Sequence, residues 1–325
     1  MKDLVAAFPQ HLQHALEIGR SSGLSLNSSL RNIVICGLGG SGIGGRILSE
    51  LITDCCECPV VLNNDYGLPT FAGPETLIII SSYSGNTEET VSSMEEALER
   101  GCQVCCVTSG GQVMRLAQQN NIATIVIPGG FPPRAMLGYS LISLLFIAKE
   151  LGLAPSNFER QVELASQMLN STQATIKAHA SELASKLSDK LPVLYCSAKR
   201  EGLAIRWRQQ MNENAKTLCW HHVFPEMNHN ELVGWEGALP NVSVILLEDE
   251  DDNERVKARM DICEKIFKRT NPVTRIASLG ENAIERALYT IHFGDWLSVF
   301  LAEKAGVDAM SIDNIDLLKN TLADL

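Results

Sequence analysis

The chain has 325 residues, of which 45% are hydrophobic and 20% are charged, and its formal net charge is −11. This length fits two domains of ordinary size, and the composition is that of a chain that folds throughout. The negative charge disfavours nucleic acid and membrane surfaces as partners, because either would need a local basic patch that the sequence lacks. Without a signal-peptide pattern or an apolar run long enough to span a bilayer, a cytoplasmic location is expected.

The first half of the chain alternates short apolar runs with helical stretches. Strands are predicted at residues 33–36, 60–62, 77–81, 104–108 and 124–127, and helices at residues 42–53, 88–100 and 114–120. Continuous apolar strands separated by helices indicate a parallel sheet covered on both faces, which is a doubly wound α/β fold. Ligands of such folds bind at the carboxyl ends of the strands.

The second half repeats this rhythm after an apolar helix at residues 135–153 and a long helical pattern at residues 155–191. Strands are predicted at residues 193–197, 242–247 and 273–277, and helices at residues 199–215, 253–268, 283–305 and 313–325. The sequence therefore predicts two doubly wound parallel-sheet domains, with residues 1–153 in the first and residues 154–325, including a helical tail, in the second.

A glycine-rich loop follows the first predicted strand, with six glycines among residues 37–45. Glycines let a ligand approach backbone amides, and the helix that follows offers unpaired N–H groups, so the loop predicts an anion site. A packing turn would need a single glycine. The spacing of Gly37, Gly39 and Gly42, with Asp65 beyond the second strand, also fits a dinucleotide-binding loop, so a nicotinamide-dependent oxidoreductase is an alternative.

A second loop of this type follows the predicted strand at residues 77–81. Ser82, Ser84 and Thr87 precede a helix, and several hydroxyls beside helix amides can surround the three oxygens of a phosphate monoester. A bridging pyrophosphate does not need them, and a simple N-cap would use one hydroxyl. The two loops together favour a terminal phosphate as the ligand.

The residues of these loops resemble those of a known family. Gly39-Gly40-Ser41 and the run Ser-Tyr-Ser-Gly-Asn-Thr at residues 82–87 resemble the sugar isomerase (SIS) domain. Pro-Arg-Ala at residues 133–135, Asn-Glu-Asn-Ala-Lys at residues 212–216 and Asn-His-Asn-Glu at residues 228–231 narrow the resemblance to the bifunctional phosphoglucose/phosphomannose isomerases. The resemblance extends over almost the whole chain.

This resemblance implies two SIS domains of flavodoxin-like fold, a homodimer, and metal-free, cofactor-free interconversion of glucose 6-phosphate, and mannose 6-phosphate, with fructose 6-phosphate. The residues expected to bind the phosphate of this small-molecule substrate are Gly39, Gly40, Ser41, Ser82, Ser84 and Thr87. A non-catalytic sugar-phosphate sensor would share them. Residues near Ser311 and Ile312 are expected to affect tolerance of the mannose epimer.

Four side chains are expected to carry the proton chemistry. Glu213 lies at the end of a predicted helix and matches the family's catalytic base, while Arg134 is the candidate cation for the oxyanion of the enediolate. His229 suits proton transfer in ring opening and would come from the partner subunit, as in relatives. Lys319 resembles the lysine that assists at that step.

Two metal-site alternatives have less support from the residues. His221, His222, Glu226 and His229 are close in sequence, but Pro225 prevents one helix from presenting them together. The spacings Cys55 to Cys58 and Cys102 to Cys105 allow a four-thiolate zinc site, yet cysteines in apolar strands more often pack as small hydrophobes, so free thiols are expected. The acidic run at residues 248–252 is expected to be a solvated loop.

Overall fold

The computed structural model of the chain describes residues 1–26, 30–237 and 241–323. The chain forms two compact units. The N-terminal unit comprises Ala6–Ser171 and Gly280–Leu288, and the C-terminal unit comprises Met1–Val5, Thr172–Leu279 and Tyr289–Leu325. Each unit draws on separate stretches of the chain, and the domain division near Leu153 stays a prediction.

The N-terminal unit is built on a parallel sheet with the strand order β2-β1-β3-β4-β5, which is the flavodoxin-like order. Its strands are β1 (Asn32–Cys36), β2 (Val60–Asn63), β3 (Thr76–Ser82), β4 (Gln103–Thr108) and β5 (Ala123–Val126). The helices along this part of the chain are α1 (Lys2–Ala6), α2 (Phe8–Ser21), α3 (Gly39–Leu51), α4 (Glu88–Glu99), α5 (Gly111–Gln119) and α6 (Leu137–Glu150).

These strands and α3 to α6 confirm the predicted elements to within a few residues at each end. Helix α2 was not predicted, although its buried Phe8, Leu12 and Leu16 follow the four-residue spacing of an amphipathic helix. The centre of the sheet is β3, in which every residue is buried. A strand covered on both faces needs a continuous apolar run, and residues 77–80 provide one.

The C-terminal unit has a second parallel sheet, with the order β7-β6-β8-β9. Its strands are β6 (Leu191–Ser197), β7 (Trp220–Phe224), β8 (Val242–Glu248) and β9 (Val273–Ala277). The helices that lie wholly or partly in it are α7 (Phe158–Leu187), α8 (Glu201–Ala215), α9 (Glu231–Gly234), α10 (Glu254–Phe267), α11 (Ala283–Ala305) and α12 (Asp313–Ala323). The predicted fold class, two doubly wound α/β sheets, is confirmed.

Strand β7 was missed by the sequence analysis. It pairs in parallel with β6, so that His221 lies beside Leu194 and His222 beside Tyr195. Strand β7 lies at the edge of the sheet, and only its last residue, Phe224, is buried. Because such a strand can carry polar side chains, it does not form the continuous apolar run by which the other strands were predicted. Within the described ranges, no helix combines the length and the apolarity needed to cross a membrane.

Candidate active site

The two predicted phosphate loops lie side by side at the carboxyl edge of the N-terminal sheet. They follow β1 and β3, which are neighbours, with Cys36 beside Ile80. In a doubly wound sheet this is the point where the strand order reverses and a crevice opens. The Tyr83 amide donates to Ser41 Oγ at 2.9 Å, and Ser81 Oγ donates to the Ser41 carbonyl at 3.2 Å. These bonds hold the two loops against each other.

The hydroxyls of the second loop differ in their environments. Ser82 is buried, and its Oγ donates to Thr87 Oγ1 at 3.2 Å. Ser84 is exposed, and its Oγ accepts the Asn86 amide at 3.2 Å. Thr87 occupies the N-cap position of α4, but its side chain makes no capping hydrogen bond. A hydroxyl at this position can therefore turn toward a ligand at the helix end.

The first turn of α3 is the better anion site of the two helices. Its N-cap residue, Leu38, has no side chain that could cap, and the turn contains no acidic residue. The first turn of α4 contains Glu88 and Glu89, whose charges already complement the positive end of the helix dipole. An anion at the crevice would thus interact chiefly with the amides of Gly39 and Gly40.

The glycines of residues 37–45 are needed for packing more than the sequence analysis assumed. A Cβ on Gly37 would lie 2.7 Å from the Ser81 carbonyl oxygen, and one on Gly45 would lie 2.7 Å from Ile35 Cγ2. A Cβ on Gly42 would overlap the Gly37 carbonyl. The expectation that a packing turn needs a single glycine is therefore wrong, because packing alone requires glycine at several of these positions.

Arg134 is buried beside the start of α3. It lies in a short 3₁₀ turn, Pro133–Ala135, and only 2% of it is exposed. The turn contacts the glycine loop closely, since a Cβ on Gly40 would be 3.1 Å from the Arg134 amide nitrogen. A guanidinium buried at the carboxyl edge of the sheet can interact with a substrate oxyanion much more strongly than one in water.

Tyr83 joins the loops of this edge, and sequence analysis assigned it no role. Besides its amide bond to Ser41, its carbonyl accepts Ser109 Oγ at 2.6 Å and its hydroxyl accepts the Phe131 amide at 3.1 Å. Phe131 lies three residues before Arg134. Tyr83 thus ties the loop after β3 to the segment that carries Arg134. Its position between Ser82 and Ser84 is the feature of the sequence that indicates a role in this loop.

In the C-terminal unit, Glu213 lies in the last turn of α8, as predicted, and is partly exposed. The predicted apolar face of α8 is confirmed, because Leu203, Trp207 and Met211 are buried. A second buried face of the same helix is polar. Its residues, Arg206, Gln210 and Asn214, also follow a four-residue spacing.

These polar residues bond to α11. Arg206 Nε and Nη2 donate to the two carboxylate oxygens of Asp295 at 3.1 and 2.9 Å, and Gln210 Nε2 donates to Asp295 at 2.8 Å. Asn214 Nδ2 donates to Ser298 Oγ at 2.9 Å. Complete burial raises the pKa of the Asp295 carboxyl, and the adjoining guanidinium opposes that rise. These hydrogen bonds between α8 and α11 fix the rotation of α8 about its axis and hence the direction in which Glu213 points.

His229 is exposed, whereas the residues around it are firmly held. It ends a short 3₁₀ turn, Glu226–His229, in which Met227 is fully buried. Asn228 accepts from Arg259 Nη1 at 3.2 Å. On the other side, Glu231 accepts the hydroxyl of buried Tyr195, which also accepts Trp235 Nε1 at 3.0 Å. The fold thus presents one imidazole to the outside on a fixed backbone.

Lys319 lies on α12, the predicted C-terminal helix, and is exposed. Glu213, His229 and Lys319 therefore all belong to the C-terminal unit, while Arg134 and the phosphate-loop residues belong to the N-terminal unit.

The residues considered for zinc do not form a cluster. His221 and His222 are consecutive in β7, so their side chains point to opposite faces of the sheet. His221 instead faces Glu201, at 3.6 Å, and Arg208, at 3.3 Å, and burial lowers its pKa. Among the residues that the structure describes, no three His, Cys, Asp or Glu side chains converge on a possible metal position.

The cysteines are all free thiols. Cys105 is fully buried in β4, and burial raises its pKa well above the usual value. Cys58 is partly buried beside Cys56, and desolvation raises its pKa to about 11. Burial disfavours the charged thiolate, so Cys105 packs in the sheet as a small hydrophobe.

The acidic run at residues 248–252 is only in part the solvated loop expected from the sequence, since Glu250 and Asp251 are exposed. Asp249 and Asp252 are buried at the carboxyl edge of β8, where Asp249 accepts from Arg200 Nη2 at 3.4 Å and from Ser278 Oγ at 3.1 Å. Asp252 accepts the Asp249 amide at 2.9 Å. These carboxylates follow β8, which is paired with β6, so they lie at the strand ends where the strand order of this sheet reverses. An anionic ligand is disfavoured there by their charge.

Comparison with known proteins gives the family. Residues 176–322 match the profile described as the bacterial phospho-glucose isomerase C-terminal SIS domain. A Caldicellulosiruptor bescii protein named bifunctional phosphoglucose/phosphomannose isomerase is 37% identical over 100% of this chain and 99% of its own. A protein of the same name from Aquifex aeolicus is 37% identical over 90% of each chain.

The solved structures agree on the fold. A putative phosphosugar isomerase from Clostridium difficile superposes with a TM-score of 0.74 at 17% identity, over 98% of this chain and 97% of its own. At this identity the likeness concerns the fold alone. Because relatives of one name match nearly the full length, the chain belongs to the bifunctional phosphoglucose/phosphomannose isomerase family.

Proposed function

We propose that this chain interconverts glucose 6-phosphate, and also mannose 6-phosphate, with fructose 6-phosphate. The observation that carries the proposal is the 37% identity over the whole chain to a relative bearing that name. The oxidoreductase alternative depended on a glycine spacing that packing now explains in part, and on Asp65, whose carboxylate accepts the neighbouring Tyr66 amide at 2.8 Å. The free cysteines favour a cytoplasmic location, which is part of the proposal.

The phosphate is proposed to bind at the first turn of α3 and the loop after β3. Gly39 and Gly40 would donate backbone N–H groups, and Ser41, Ser82, Ser84 and Thr87 would supply hydroxyls. The adjoining positions of Ser82 and Thr87 and the absence of acidic residues from the first turn of α3 support this assignment. Hydrogen bonds from several amides and hydroxyls to one group favour a terminal phosphate, which is a dianion with three free oxygens, over a bridging pyrophosphate.

The isomerisation needs a base that removes the proton beside the carbonyl and returns it one carbon along. Glu213 is proposed to perform both transfers through an enediolate, and Arg134 is proposed to stabilise the negative charge on the enediolate oxygen. An arginine is always charged, so it can supply this stabilisation without a metal ion. The burial of Arg134 supports its role, because the attraction between a guanidinium and a nearby oxyanion is stronger away from water.

Ring opening requires proton transfer between the ring oxygen and the anomeric hydroxyl. His229 is proposed to do this with the help of Lys319, and His229 is proposed to act in the site of a partner subunit within a homodimer. The exposed side chain on a rigidly held backbone supports a role at a surface that another subunit covers. A histidine side chain can both donate and accept a proton, as this step requires.

A coupled assay with both aldose phosphates in the presence of a chelator tests the reaction and its independence of metal. Glu213→Gln should lower turnover by about 10²–10⁴-fold and stop exchange of solvent deuterium into the sugar, while phosphate binding persists. Glu201→Gln, at the other end of α8, is the matched control and should retain activity. Full activity in Glu213→Gln contradicts the proposal, and phosphate binding without turnover in the wild type would indicate a sensor. A thermal shift on adding NAD would favour the oxidoreductase.

Hybrid dimers test the role of His229. Glu213→Gln and His229→Asn are each expected to be inactive as homodimers. When the two are unfolded, mixed and refolded, about a quarter of wild-type activity should return, because half the dimers are hybrids with one intact site each. If His229 acts within its own subunit, every site in the hybrid carries one defect and no activity returns. A ratio of glucose to mannose activity that changes in Ile312→Ala would link the tail to epimer tolerance.

A further inference from the structure

Lys216, the residue after the last turn of α8, has a backbone conformation that is unusual for lysine. Its φ of +54° lies in the left-handed region, where the C-terminus of a helix usually has glycine or asparagine. A side chain with a Cβ is disfavoured there. A lysine at such a position suggests that its ammonium group has a use that glycine could not serve.

The ammonium group of Lys216 joins two segments of the C-terminal unit. It donates to the Glu213 carbonyl at 2.8 Å and lies 3.5 Å from the Asn214 carbonyl, both in the last turn of α8. It also donates to the Asp308 carbonyl at 2.6 Å and the Ser311 carbonyl at 2.8 Å. One cation therefore links the helix end that carries Glu213 to the segment that leads into α12.

Helix α12 has little else that could fix its place within this unit. Every residue from 313 to 322 is exposed, including Leu317 and Leu318. The backbone hydrogen bonds of its first turn are local: the Ile315 amide donates to the Ile312 carbonyl at 2.8 Å, and the Asp316 amide donates to the same carbonyl at 3.0 Å. The position of α12 relative to α8 thus depends on its base, residues 308–311, where Lys216 binds.

We propose that Lys216 is a positioning residue that holds the base of the C-terminal tail against the end of α8 and so sets the place of Lys319 relative to Glu213. This inference rests on the proposed function, in which both side chains act on the sugar. Lys216 itself touches backbone carbonyls and takes no part in proton transfer. A displacement of about 1 Å at reacting groups can lower a rate on the order of 100-fold, so a small shift of the base is enough to matter.

Three substitutions separate the cation from the backbone conformation. Lys216→Met keeps the Cβ and removes the charge, Lys216→Gly removes the charge and suits the positive φ, and Lys216→Arg keeps a cation. We expect the Met and Gly variants to lower kcat alike, by about 10- to 100-fold with KM changed less than about 3-fold, and the Arg variant to retain more activity. Lys265→Met, at an exposed lysine of α10, is the control and should behave as wild type.

A double-substitution cycle shows whether Lys216 acts through the tail. In the Lys319→Met background, Lys216→Met should cause no further loss of kcat, because the group that it positions is already absent. Additive losses would overturn the proposal, as would wild-type kcat in Lys216→Met. Equal kcat in the Gly variant and wild type would overturn it too, since the effect would then belong to the backbone.

Hydrogen exchange provides a readout that needs no activity. In the Met and Gly variants, the amides of Ile315 and Asp316, which donate to the Ile312 carbonyl just after the anchored segment, should exchange faster than in wild type, while those of residues 203–211 in α8 are unchanged. Unchanged exchange at Ile315 and Asp316 refutes the anchoring. If the wild-type chain proves inactive on both sugars, the proposed function fails, whereas the exchange result still decides whether Lys216 holds the tail.

Discussion

The buried ion pair of the C-terminal unit offers the sharpest stability test. Asp295→Asn keeps the shape of the side chain but removes its charge, and its NH₂ group must face donors of Arg206 or Gln210. Arg206 is 1% exposed and Asp295 3% exposed, so no water compensates for the lost charge. At least one charge-assisted bond is lost, at about 1.5–3 kcal/mol, and the buried guanidinium of Arg206 loses the negative charge of Asp295. The expected total is about 3–5 kcal/mol.

Urea denaturation followed by tryptophan fluorescence measures this loss. All four tryptophans, Trp207, Trp220, Trp235 and Trp296, lie in the C-terminal unit, so their emission reports the unit that carries the pair. Glu182→Gln, which breaks an exposed pair with Lys186, should leave the unfolding midpoint unchanged. The double variant Arg206→Met, Asp295→Leu should recover part of the stability, because it buries neither charge of the pair, although Gln210 Nε2 then loses its acceptor. A loss below about 1 kcal/mol in Asp295→Asn would refute the reasoning.

Three further outcomes follow from the structure. Tyr83→Phe removes the hydroxyl that accepts the Phe131 amide. We expect kcat to fall about fivefold, equivalent to roughly 1 kcal/mol, with little change in the melting temperature. An unaltered kcat would show that the position of Arg134 does not depend on this bond. Gly42→Ala places a methyl group against the Gly37 carbonyl, and calorimetry should find phosphate binding lost together with about 1–3 kcal/mol of stability. Burial lowers the pKa of His292 to about 3, below its value of 6.5 in the unfolded chain, so the unfolded state binds more protons as the pH falls from 6.5 to 3. At pH 4.5 this costs roughly 2–3 kcal/mol relative to pH 7, and thermal unfolding of His292→Gln should lose correspondingly less.

The local elements and the positions of the loops after β1 and β3 could be predicted because their signals are contiguous in the sequence. The apolar run of β3 and the glycines after β1 each lie within a short window, and the rule that ligands bind at strand ends places both loops on one edge. The edge strand β7 was not predicted, because most of its residues are only partly buried and its sequence has no continuous apolar run. Helix α2 differs from β7 in this respect, because its apolar residues follow a four-residue spacing that is local in the sequence.

The sequence by itself determined the fold class, the strand–loop–helix positions of Ser41 and the loop at residues 82–87, and the place of Glu213 at the end of a helix, because each depends on neighbouring residues. Only the tertiary structure decided which charges are buried. Arg206 pairs with Asp295, which is 89 positions away in the chain, and Lys216 binds the Ser311 carbonyl, which is 95 positions away. Asp249 and Asp252 are buried at the end of β8. Burial and partners of a charged side chain are set by elements that pack from distant parts of the chain, and no local pattern encodes that packing.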